Sequence, residues 1–400
     1  MTPPPTSSPR SILLFEPRVE GHHLTWMHYL AEDLLAGGYN VTLACDLRQP
    51  AREKIEGQFG DLLRSLKAVS VYDTDNRLVG GSGMTGALAR FDTQSKPDHA
   101  FLCDFDEIAS DIFRRASLGL MPPQSLRSRL GGIYHRPTLL LKEGFSPNRW
   151  LKKLGFHRMI RQRWFSNLLF LDEFLVDHLK EKSPNAPFWR LATPGPGGFD
   201  VSQSEARRSL GIAPDKKVFL FYGGPYRRKG LHLAVRAFEA LPKDSSSFLL
   251  CAGEQGKDPE LYARIRQLEG QGRALALSRY VTTAEETLCF CASDAVLLPY
   301  IGFLTSSGVM SQACAAGKPV IVSDEGLMAH RVRQYGLGVL FPSENWKALG
   351  TAIELVKERV DAEADIWRAK ALRYAADNSR QIFREQLLQS FAAAAAKSTS

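Results

Sequence analysis

The sequence predicts an α/β protein with two similar halves, each a parallel β-sheet covered by helices. Short apolar runs alternate with longer helical stretches along the chain, as expected for parallel strands that are buried on both faces. A segment rich in proline and glycine, Thr193–Asp200, interrupts this alternation near the middle of the chain. The alternation then starts again at Val218–Tyr222, which indicates a second domain.

The length of the chain agrees with two domains, and its net charge limits the kinds of partner that it is expected to bind. The chain has 400 residues, which is long for one domain and sufficient for two cores. Its formal net charge of +8 favours an anionic partner, such as nucleic acid, a nucleotide diphosphate or an anionic membrane surface. The basic residues do not form one long run with interleaved aromatic residues, so the sequence disfavours nucleic acid.

The N-terminus and the cysteines indicate the compartment. Residues 1–10, MTPPPTSSPR, contain no apolar segment, so we expect a disordered tail and no signal peptide. No apolar run reaches the roughly 18 residues that a membrane-spanning helix requires. The six cysteines form no CxxC pair and mostly lie in apolar runs, which indicates buried thiols in a reducing environment. We therefore expect a cytoplasmic protein.

The first half begins as a Rossmann-like domain does. Ser11–Phe15 is predicted as a strand, His22–Leu35 as a helix and Val41–Cys45 as the next strand. The first loop lacks a GxGxxG motif, so no nicotinamide cofactor is predicted. Arg52–Ser65 is predicted helical, and Gly80–Gly86 is open between a loop and a helix start. The further strands of this half are Ala68–Tyr72, His99–Cys103, Leu130–His135, Asn167–Leu171 and Trp189–Ala192.

The second half repeats this plan. Its predicted strands are Val218–Tyr222, Phe248–Ala252, Ala274–Leu277, Ala295–Pro299, Val320–Val322 and Gly338–Phe341. Its predicted helices are Leu231–Ala240, Pro259–Glu269, Ala284–Ala292, Gly308–Ala316 and Trp346–Val360, followed by a last helical stretch, Ala362–Ala396.

A polar loop and a helix start follow the predicted strand Ala295–Pro299. A helix N-terminus with small side chains and main-chain N–H groups can bind phosphate. The alternative is that Ser306 or Ser307 caps the helix, and the sequence leaves both interpretations open. The residues at this helix start are Thr305, Ser306, Ser307 and Gly308.

A basic turn, GGPYRRKG, follows the strand Val218–Tyr222. Its first two residues, Gly223 and Gly224, allow the backbone to approach a ligand. Its cations would lie at the carboxyl end of the sheet, where they can stabilise the charge that grows on a pyrophosphate leaving group. The alternative is a solvated basic turn. The cations are Arg227, Arg228 and Lys229.

Four pieces of the second half occur in a consistent order between Ala292 and Phe341, namely SDAVLLPY, SSGV, AAGKPVIVSDEG and YGLGVLF. They resemble the donor-binding half of glycosyltransferase family 4, whose members are retaining enzymes with the GT-B fold. The resemblance implies two Rossmann-like domains with a cleft between them. It places an acceptor domain at 11–194, a nucleotide-sugar domain at 195–370, and at 371–400 a helix that crosses back to the first domain.

The resemblance also assigns donor contacts, with two departures. Lys229 matches the family lysine that grips the diphosphate, but Gly224 falls where the family has an arginine, so Arg227 or Arg228 would have to replace it. The two family glutamates fall on Leu304 and Gln312. Gln312 can still hydrogen-bond a ribose hydroxyl, whereas Leu304 cannot replace a carboxylate. Glu325, in the SDEG turn, is expected to contact a sugar hydroxyl.

Candidate site residues of the first half follow the predicted strands. By resemblance, His135 falls where relatives hold a histidine against the transferred sugar, and a loop after the first strand approaches donor phosphate and acceptor. For the histidines of that loop, helix capping with surface exposure is the alternative. The loop residues are Gly21, His22 and His23.

Two carboxylates follow the strand His99–Cys103. Asp104 and Asp106 are expected to position an acceptor hydroxyl. Their DxD spacing also occurs in metal-dependent transferases, but they lie in the half that does not bind donor under the GT-B interpretation. No metal site is therefore predicted.

One basic segment has a second interpretation. Arg149–Arg163, RWLKKLGFHRMIRQR, carries apolar residues among its charges. Such a helix can lie on a membrane surface as a peripheral contact, or it can pack as an ordinary surface helix. The sequence favours neither.

These features predict a metal-independent, retaining hexosyltransferase without a separate cofactor. It would move a sugar from a UDP- or GDP-linked donor to a hydroxyl on a glycan, lipid or small molecule, and family habit suggests cell-surface polysaccharide or glycolipid synthesis. Two other classes stay open: a catalytically silent GT-B scaffold that acts as a binding or partner subunit, and, less favoured, a nucleic-acid-binding protein. The predicted catalytic residues are His135, Lys229 and Arg227.

Overall fold

The structure is a computed structural model that describes residues 10–81, 83–142, 144, 146–195 and 197–398. Within these ranges the side chains of His22, Lys397 and Ser398 are not described. Of the predicted tail at 1–10, all residues except Arg10 therefore lie outside the described residues. The chain forms two compact units. The first contains the residues up to Leu191 and those from Arg384 onward, and the second contains Ala192–Phe383.

The first unit has a parallel sheet of seven strands within its described residues, in the order β3-β2-β1-β4-β5-β6-β7. Its strands are β1 (Ser11–Glu16), β2 (Asn40–Cys45), β3 (Lys67–Ser70), β4 (His99–Leu102), β5 (Leu130–Tyr134), β6 (Phe165–Phe170) and β7 (Phe188–Arg190). Its helices are α1 (His22–Ala36), α2 (Ala51–Phe59), α3 (Met84–Ser95), α4 (Asp106–Ser117), α5 (Thr138–Leu141), α6 (Pro147–Arg161) and α7 (Glu173–Lys182).

The second unit has a parallel sheet of six strands in the part of the chain that the structure describes, in the order β10-β9-β8-β11-β12-β13. Its strands are β8 (Lys217–Tyr222), β9 (Ser247–Gly253), β10 (Ala274–Ser278), β11 (Ala295–Leu298), β12 (Val320–Ser323) and β13 (Gly338–Phe341). Its helices are α8 (Gln203–Leu210), α9 (Leu231–Ala240), α10 (Pro259–Gly270), α11 (Thr283–Ala292), α12 (Gly308–Ala315), α13 (Gly326–Tyr335) and α14 (Trp346–Asp377), and a last helix, α15 (Arg380–Ser398), runs on into the first unit.

Both sheets reverse their strand order at one point, between β1 and β4 in the first unit and between β8 and β11 in the second. This order is that of a Rossmann fold, and it confirms the predicted α/β class with two Rossmann-like units. The helices that follow the two central strands leave in opposite directions, which opens a crevice beyond the carboxyl ends of those strands. Each unit therefore has one place where a ligand site is expected.

The helices at the end of the chain differ from the prediction of Trp346–Val360 and Ala362–Ala396. α14 continues without a break to Asp377, because neither glycine nor proline interrupts it near Val360 and its later turns bury Trp367 and Tyr374. It ends at the buried Asn378, whose side-chain Nδ2 donates to the Tyr374 carbonyl oxygen over 3.0 Å. The break between the two helices therefore lies where an asparagine terminates the first one.

The last helix packs within the first unit. Ser390 Oγ accepts a hydrogen bond from Asn167 Nδ2 over 3.0 Å, and the Phe391 ring lies 5.1 Å from that of Phe101. These contacts bury the apolar face of α15 against the sheet. The predicted return of the C-terminal helix to the first unit is thereby confirmed.

Two shorter predictions also change. The helical stretch predicted at Arg52–Ser65 is α-helical only to Phe59, because Gly60 takes a positive φ of 51° and a 3-10 helix, Gly60–Ser65, follows. The segment Gly80–Gly86, left open from the sequence, ends in a helix that starts at Met84.

The basic segment predicted as a surface or membrane helix is α6. Its inner face buries Phe156 and Met159, while Trp150 and Leu154 are 56% and 43% exposed. None of the described helices is both long enough and apolar enough to cross a membrane. The six cysteines are buried and unpaired, as the sequence predicted.

Gly155 sets how closely α6 packs on α4. A Cβ at this position would overlap the carbonyl oxygen of Phe113 and lie 3.0 Å from the amide nitrogen of Ser117. We expect Gly155→Ala to lower the free energy of unfolding by about 1–3 kcal/mol, because the two helices must separate. Urea denaturation followed by circular dichroism measures this.

Gly57→Ala in α2 is the matched control, since no atom lies within 4 Å of an added Cβ there. It should raise stability by about 0.5–1 kcal/mol, the usual gain for alanine in a helix. Equal effects of the two substitutions would contradict the packing argument.

Candidate functional site

The basic turn after β8 folds back over the carboxyl end of that strand. Gly223 has a φ of 125°, and a side chain there would collide with Nζ of Lys229. Gly230 has a φ of 71°, and a side chain there would overlap the carbonyl oxygen of Pro299, just after β11. Glycine at both positions therefore lets Lys229 lie beside the ends of β8 and β11, where the strand order reverses.

The turn is joined to the loop that follows β11. The amide of Ile301 donates to the carbonyl oxygen of Arg228 over 2.9 Å, and the Arg228 guanidinium lies 5.6 Å from the centre of the Phe303 ring. Lys229 Nζ lies 5.9 Å from the centre of the Tyr300 ring. Arg227 instead lies near His232, on α9. The structure thus places Arg228, rather than Arg227, beside Lys229.

Burial tunes the ionisable groups of this turn. It lowers the pKa of Lys229 to about 8, and the neighbouring charge of Arg228 acts in the same direction. Burial raises the pKa of Tyr300 to about 12, while the nearby Ser307 side chain opposes that increase. Lys229 and Ser307 therefore both lie next to Tyr300.

The start of α12 has the predicted small residues, but they do not serve as a side-chain cap. Ser307 occupies the N-cap position and makes no capping hydrogen bond within the described structure. Ser306 Oγ lies 3.1 Å from Thr193 Oγ and accepts a hydrogen bond from the buried Arg331 over 2.9 Å. The capping alternative is therefore wrong. Thr305 is buried. The first helical hydrogen bond of α12 runs from the amide of Met310 to the Ser307 carbonyl oxygen over 3.1 Å, so the amides of Gly308 and Val309 precede it at the helix start.

Gln312, where the family has a glutamate, contacts a carboxylate from another helix. Its side-chain Nε2 donates to Glu286 Oε1 over 2.8 Å. The hydroxyl of Tyr222 donates to the other oxygen of the same carboxylate. Tyr222 is the last residue of β8, so this group lies at the same end of the sheet as Lys229.

Two further side chains hold the loops of this site. Glu325 Oε2 accepts a hydrogen bond from the amide of Gly302 over 3.1 Å, so the residue predicted to contact a sugar hydroxyl also supports the loop after β11. Gln255, fully buried after β9, donates to the carbonyl oxygen of Gly223 over 3.2 Å. Gly224, which replaces the family arginine, faces the Tyr226 ring.

In the first unit, the loop after β1 joins its strand to α1 through Gly21, whose φ of 56° favours glycine. His23 is 7% exposed, and its Nδ1 lies 3.2 Å from Glu16 Oε2 and 3.9 Å from Asp104 Oδ2. The predicted alternative of helix capping with surface exposure is thus wrong for His23. The side chain of His22 lies outside the described residues.

Asp104 and Asp106 lie close together after β4. The amide of Asp106 donates to Asp104 Oδ1 over 3.0 Å, and the amide of Arg136 donates to both oxygens of Asp106 over 3.1 Å. Burial, together with the charge of Asp104, raises the pKa of Asp106 to about 8. His135 and hydrogen bonds lower the pKa of Asp104 against the effect of its burial. At neutral pH one carboxyl is ionised and the other carries a proton.

His135 lies between these carboxyls and α1. Its Nε2 donates to the carbonyl oxygen of Cys103 over 3.0 Å, and its ring lies edge-on to Trp26 with 4.9 Å between centres. Burial lowers the pKa of His135, so the ring is neutral at pH 7. Because a carbonyl oxygen can only accept, Nε2 carries the hydrogen and Nδ1 has the lone pair.

The structure therefore gathers the predicted residues into two groups, one in each unit. The predictions missed four residues that hold these groups. Glu16 ends β1, and Gln255 lies two residues after β9. Polar residues at the ends of apolar runs are a sequence signal that could have indicated both. Tyr222 and Glu286 have no such signal, because they meet Gln312 only through folding. Among the residues that the structure describes, no three His, Cys, Asp or Glu side chains are placed to hold a metal ion together.

Sequence comparison relates the second unit to known enzymes. Residues 202–372 match the family model "Glycosyl transferases group 1". A D-inositol 3-phosphate glycosyltransferase of Pseudarthrobacter chlorophenolicus is 26% identical over 249 residues, which cover 59% of this chain and 57% of that protein. The chain spans about half the length of the curated relatives that it matches.

Structural comparison covers both units. A glycosyltransferase from Rickettsia africae matches with a TM-score of 0.71 and 13% identity, over 97% of this chain and 99% of that one. Anabaena HepE, solved in complex with UDP and glucose, matches with a TM-score of 0.67 and 14% identity, over 96% and 99%. At these identities the likeness shows a shared fold, and it confirms the predicted GT-B architecture.

The proton on Asp106 makes stability depend on pH. The folded protein keeps this proton up to about pH 8, whereas an unfolded aspartate releases it near the ordinary value of 3.8. Between these values the contribution of Asp106 to the free energy of unfolding falls as the pH rises. We expect Asp106→Asn to reduce the fall in Tm between about pH 5 and pH 8 by at least about 2 °C.

Thermal denaturation at several pH values measures this effect. Asp111→Asn, on the exposed side of the same helix, is the control and should keep the wild-type pH dependence. A wild-type pH dependence in Asp106→Asn would show that the Asp106 carboxyl is ionised in the folded protein.

Proposed function

We propose that this chain, whose residues 202–372 match the model for group 1 glycosyltransferases, transfers a sugar from a UDP- or GDP-linked donor to a hydroxyl group. The observation that carries the proposal is the meeting of Lys229, Arg228 and the start of α12 around Tyr300. Cations and helix amides at the carboxyl ends of two strands are suited to a diphosphate.

The chemistry follows from where charge develops. When the bond between sugar and diphosphate breaks, negative charge grows on the bridging oxygen of the leaving group. Lys229 is desolvated by burial, so its charge interacts more strongly with that oxygen than a solvated lysine would. Arg228 takes the place of the family arginine that is missing at Gly224. Arg227 lies closer to α9 and contributes less.

The first unit would bind the acceptor. The ionised Asp104 would accept a hydrogen bond from the acceptor hydroxyl. Asp106 is protonated, so it adds no second negative charge beside Asp104. His135 is neutral and held by the Cys103 carbonyl oxygen, and by the family resemblance it would lie against the transferred sugar. His23 and Glu16 orient this group from the loop after β1.

We propose a retaining, metal-independent transfer. The acceptor hydroxyl would attack from the face that the diphosphate leaves, and its proton would pass to the departing phosphate oxygen. Transfer assays with UDP-, GDP- and ADP-linked sugars in the presence of a chelator test this, with NMR of the product anomer. Loss of activity on chelation, or an inverted anomer, overturns this part of the proposal.

A catalytically silent GT-B scaffold is the alternative that two observations favour, namely Gly224 in place of arginine and Leu304 in place of glutamate. A scaffold of this kind would show no thermal shift with any nucleoside diphosphate. A nucleic-acid-binding protein would instead show binding that weakens steeply with salt and has no nucleotide preference.

The exposed face of α6 supports a peripheral membrane contact, which suits a lipid-linked or cell-surface acceptor. Trp150 and Leu154 are four residues apart on this face, and Arg158 and Arg161 continue it. Near Arg158, the loop after α4 exposes Leu118 and Leu120. Apolar side chains beside cations match the surface of a bilayer that contains anionic lipids.

Vesicle flotation tests this contact. We expect wild-type protein to float with phosphatidylglycerol-containing vesicles and a Trp150→Ser/Leu154→Ser variant to lose at least about half of that binding, because the apolar insertion is removed. Tyr280→Ser, at a residue 84% exposed in the second unit, is the control. Equal flotation of all three proteins would show that the exposed face of α6 does not bind the membrane.

Lys229 should control the affinity for UDP. We expect Lys229→Ala to weaken UDP binding about 10- to 100-fold, because hydrogen bonds to charged groups contribute about 1.5–3 kcal/mol. With a pKa of about 8, Lys229 loses its charge as the pH rises. Wild-type affinity should therefore fall above pH 8, and Lys229→Arg should retain it. Calorimetric titration measures both effects.

Lys243→Ala removes an exposed lysine of the same unit and is the control for net charge. It should bind UDP as the wild type does. If it weakens binding as much as Lys229→Ala, the effect comes from the general field of the protein and not from the turn.

A further inference from the structure

A cavity lies at the edge of the first sheet where the strands begin, opposite to the edge that carries the candidate site residues. Arg10 precedes β1, His99 begins β4 and Arg163 lies shortly before β6, and all three line this cavity of about 1250 Å³. Its described lining belongs entirely to the first unit. β4 separates the cavity from Asp104 by about 15 Å, at a rise of about 3.3 Å per residue.

The described lining carries five cationic side chains and one carboxylate. The carboxylate, Asp98, already accepts hydrogen bonds from the amide and the hydroxyl of Ser11 over 2.8 and 3.0 Å. One cation, Arg129, pairs with the buried Asp92, with 3.0 Å from Nη2 to Oδ1. The four other cations form no ion pair with a carboxylate of the described structure, and they are Arg10, Lys96, Arg161 and Arg163. The cavity therefore has an excess of positive charge.

Helix termini explain only part of this charge. Lys96 is the C-cap of α3 and Arg161 is the last residue of α6, where cations stabilise the helix dipole. Arg10 and Arg163 lie outside the helices. Like charges that gather at one cavity repel one another, and an anionic ligand offsets that repulsion. The distribution of charge therefore favours an anion.

A second observation, independent of the charge, concerns His99. This residue lines the cavity and is 2% exposed, and its Nδ1 has no hydrogen-bond partner among the described residues. Its ring packs edge-on against Phe391, with 5.6 Å between centres. Burial lowers the pKa of His99 to about 4, so the ring is neutral and has one N–H donor and one acceptor nitrogen. A buried nitrogen without a partner is unfavourable, and a hydrogen bond to a ligand would remove that penalty.

The cavity also has an apolar part, to which Ile160, Phe165 and Ala394 contribute. Its volume exceeds the roughly 300–1,000 Å³ of typical small-molecule sites, so it can hold much more than an inorganic ion. A guanidinium group binds two phosphate oxygens at once, whereas apolar side chains contact an uncharged carbon body. A phosphate ester has both of these parts.

We infer that this cavity is a second ligand site, which binds a phosphate ester through its four unpaired cations and through His99. Ile160 and Phe165 would contact the carbon body of the ester. A soluble phosphate ester and a phospholipid headgroup share this chemistry, and Arg161 also belongs to the exposed face of α6. The inference goes beyond the proposed function and does not depend on it, since no residue of the cavity takes part in the proposed sugar transfer.

Calorimetric titration with phenyl phosphate tests the soluble form of this ligand. Lys96→Gln/Arg163→Gln removes two of the cations and spares Arg161. We expect it to weaken binding at least about tenfold, because hydrogen bonds to charged groups are lost. Arg64→Gln/Lys67→Gln is the matched control. It removes two exposed cations of the same unit that are not in the described lining, and it should bind as the wild type does.

His99→Phe separates recognition from packing. It keeps a ring against Phe391 and removes both ring nitrogens. We expect phenyl phosphate to bind about fivefold more weakly, because one hydrogen bond is lost. The Tm without ligand should not fall, because a buried nitrogen without a partner is removed. Unchanged affinity in this variant would overturn the role of His99.

Flotation with phosphatidylcholine vesicles that contain phosphatidic acid tests the lipid form of the ligand. If the headgroup binds in the cavity, Lys96→Gln/Arg163→Gln should lose at least about half of the flotation, and phenyl phosphate should compete with the vesicles. If the ligand is a soluble ester, the titration responds to this double substitution and the flotation does not. Either result supports the site.

The inference fails if the double substitution changes neither measurement, or if folded wild-type protein binds neither phenyl phosphate nor these vesicles. It also fails if Lys229→Ala abolishes the binding of phenyl phosphate while Lys96→Gln/Arg163→Gln keeps it, since the ester then binds at the basic turn of the second unit. UDP binding judges the proposed function separately, and Lys96→Gln/Arg163→Gln should retain it. Failure of the wild type to bind any nucleoside diphosphate overturns the proposed function and leaves this inference standing.

Discussion

The half-buried cation Lys229 lies where the loops after β8 and β11 meet. Its side chain lies against Gly223 and near Tyr300. These residues follow β8 and β11, the two strands between which the strand order reverses. A buried ammonium loses hydration, which is why its pKa falls to about 8, and the loss is offset when an anion binds. Glycine at 223 and 230 is required by this packing, so the backbone around the cation tolerates little change.

The first unit uses burial differently. Asp104 and Asp106 are close in sequence and in space, yet neighbouring charges and hydrogen bonds keep one ionised and the other protonated. A neutral His135 is fixed by a main-chain carbonyl oxygen. Carboxyl and imidazole groups thus lie together after β1, β4 and β5.

The departures from the family pattern are met by residues from elsewhere in the same unit. Arg228 lies beside Lys229 and can serve where Gly224 provides no side chain. Glu286 brings a carboxylate to Gln312, where the family carries the carboxylate itself. Leu304 supplies no carboxylate, and its carbonyl oxygen accepts a hydrogen bond from the amide of Leu327. The carboxylate beside Gln312 thus comes from α11 instead of α12.

The alternation of apolar runs was enough to predict the α/β class, the two units and most strands to within one or two residues, because a strand buried on both faces must be apolar along its length. The position of Asp104 and His135 directly after predicted strands, and of Lys229 in the turn after another, likewise indicates them as site residues. Other features depended on distant parts of the chain. The bond between Gln312 and Glu286, the position of Arg228 beside the loop after β11 and the burial of His23 arise from packing between elements. A local sequence pattern does not specify which distant side chains come into contact. These contacts therefore depend on the tertiary structure.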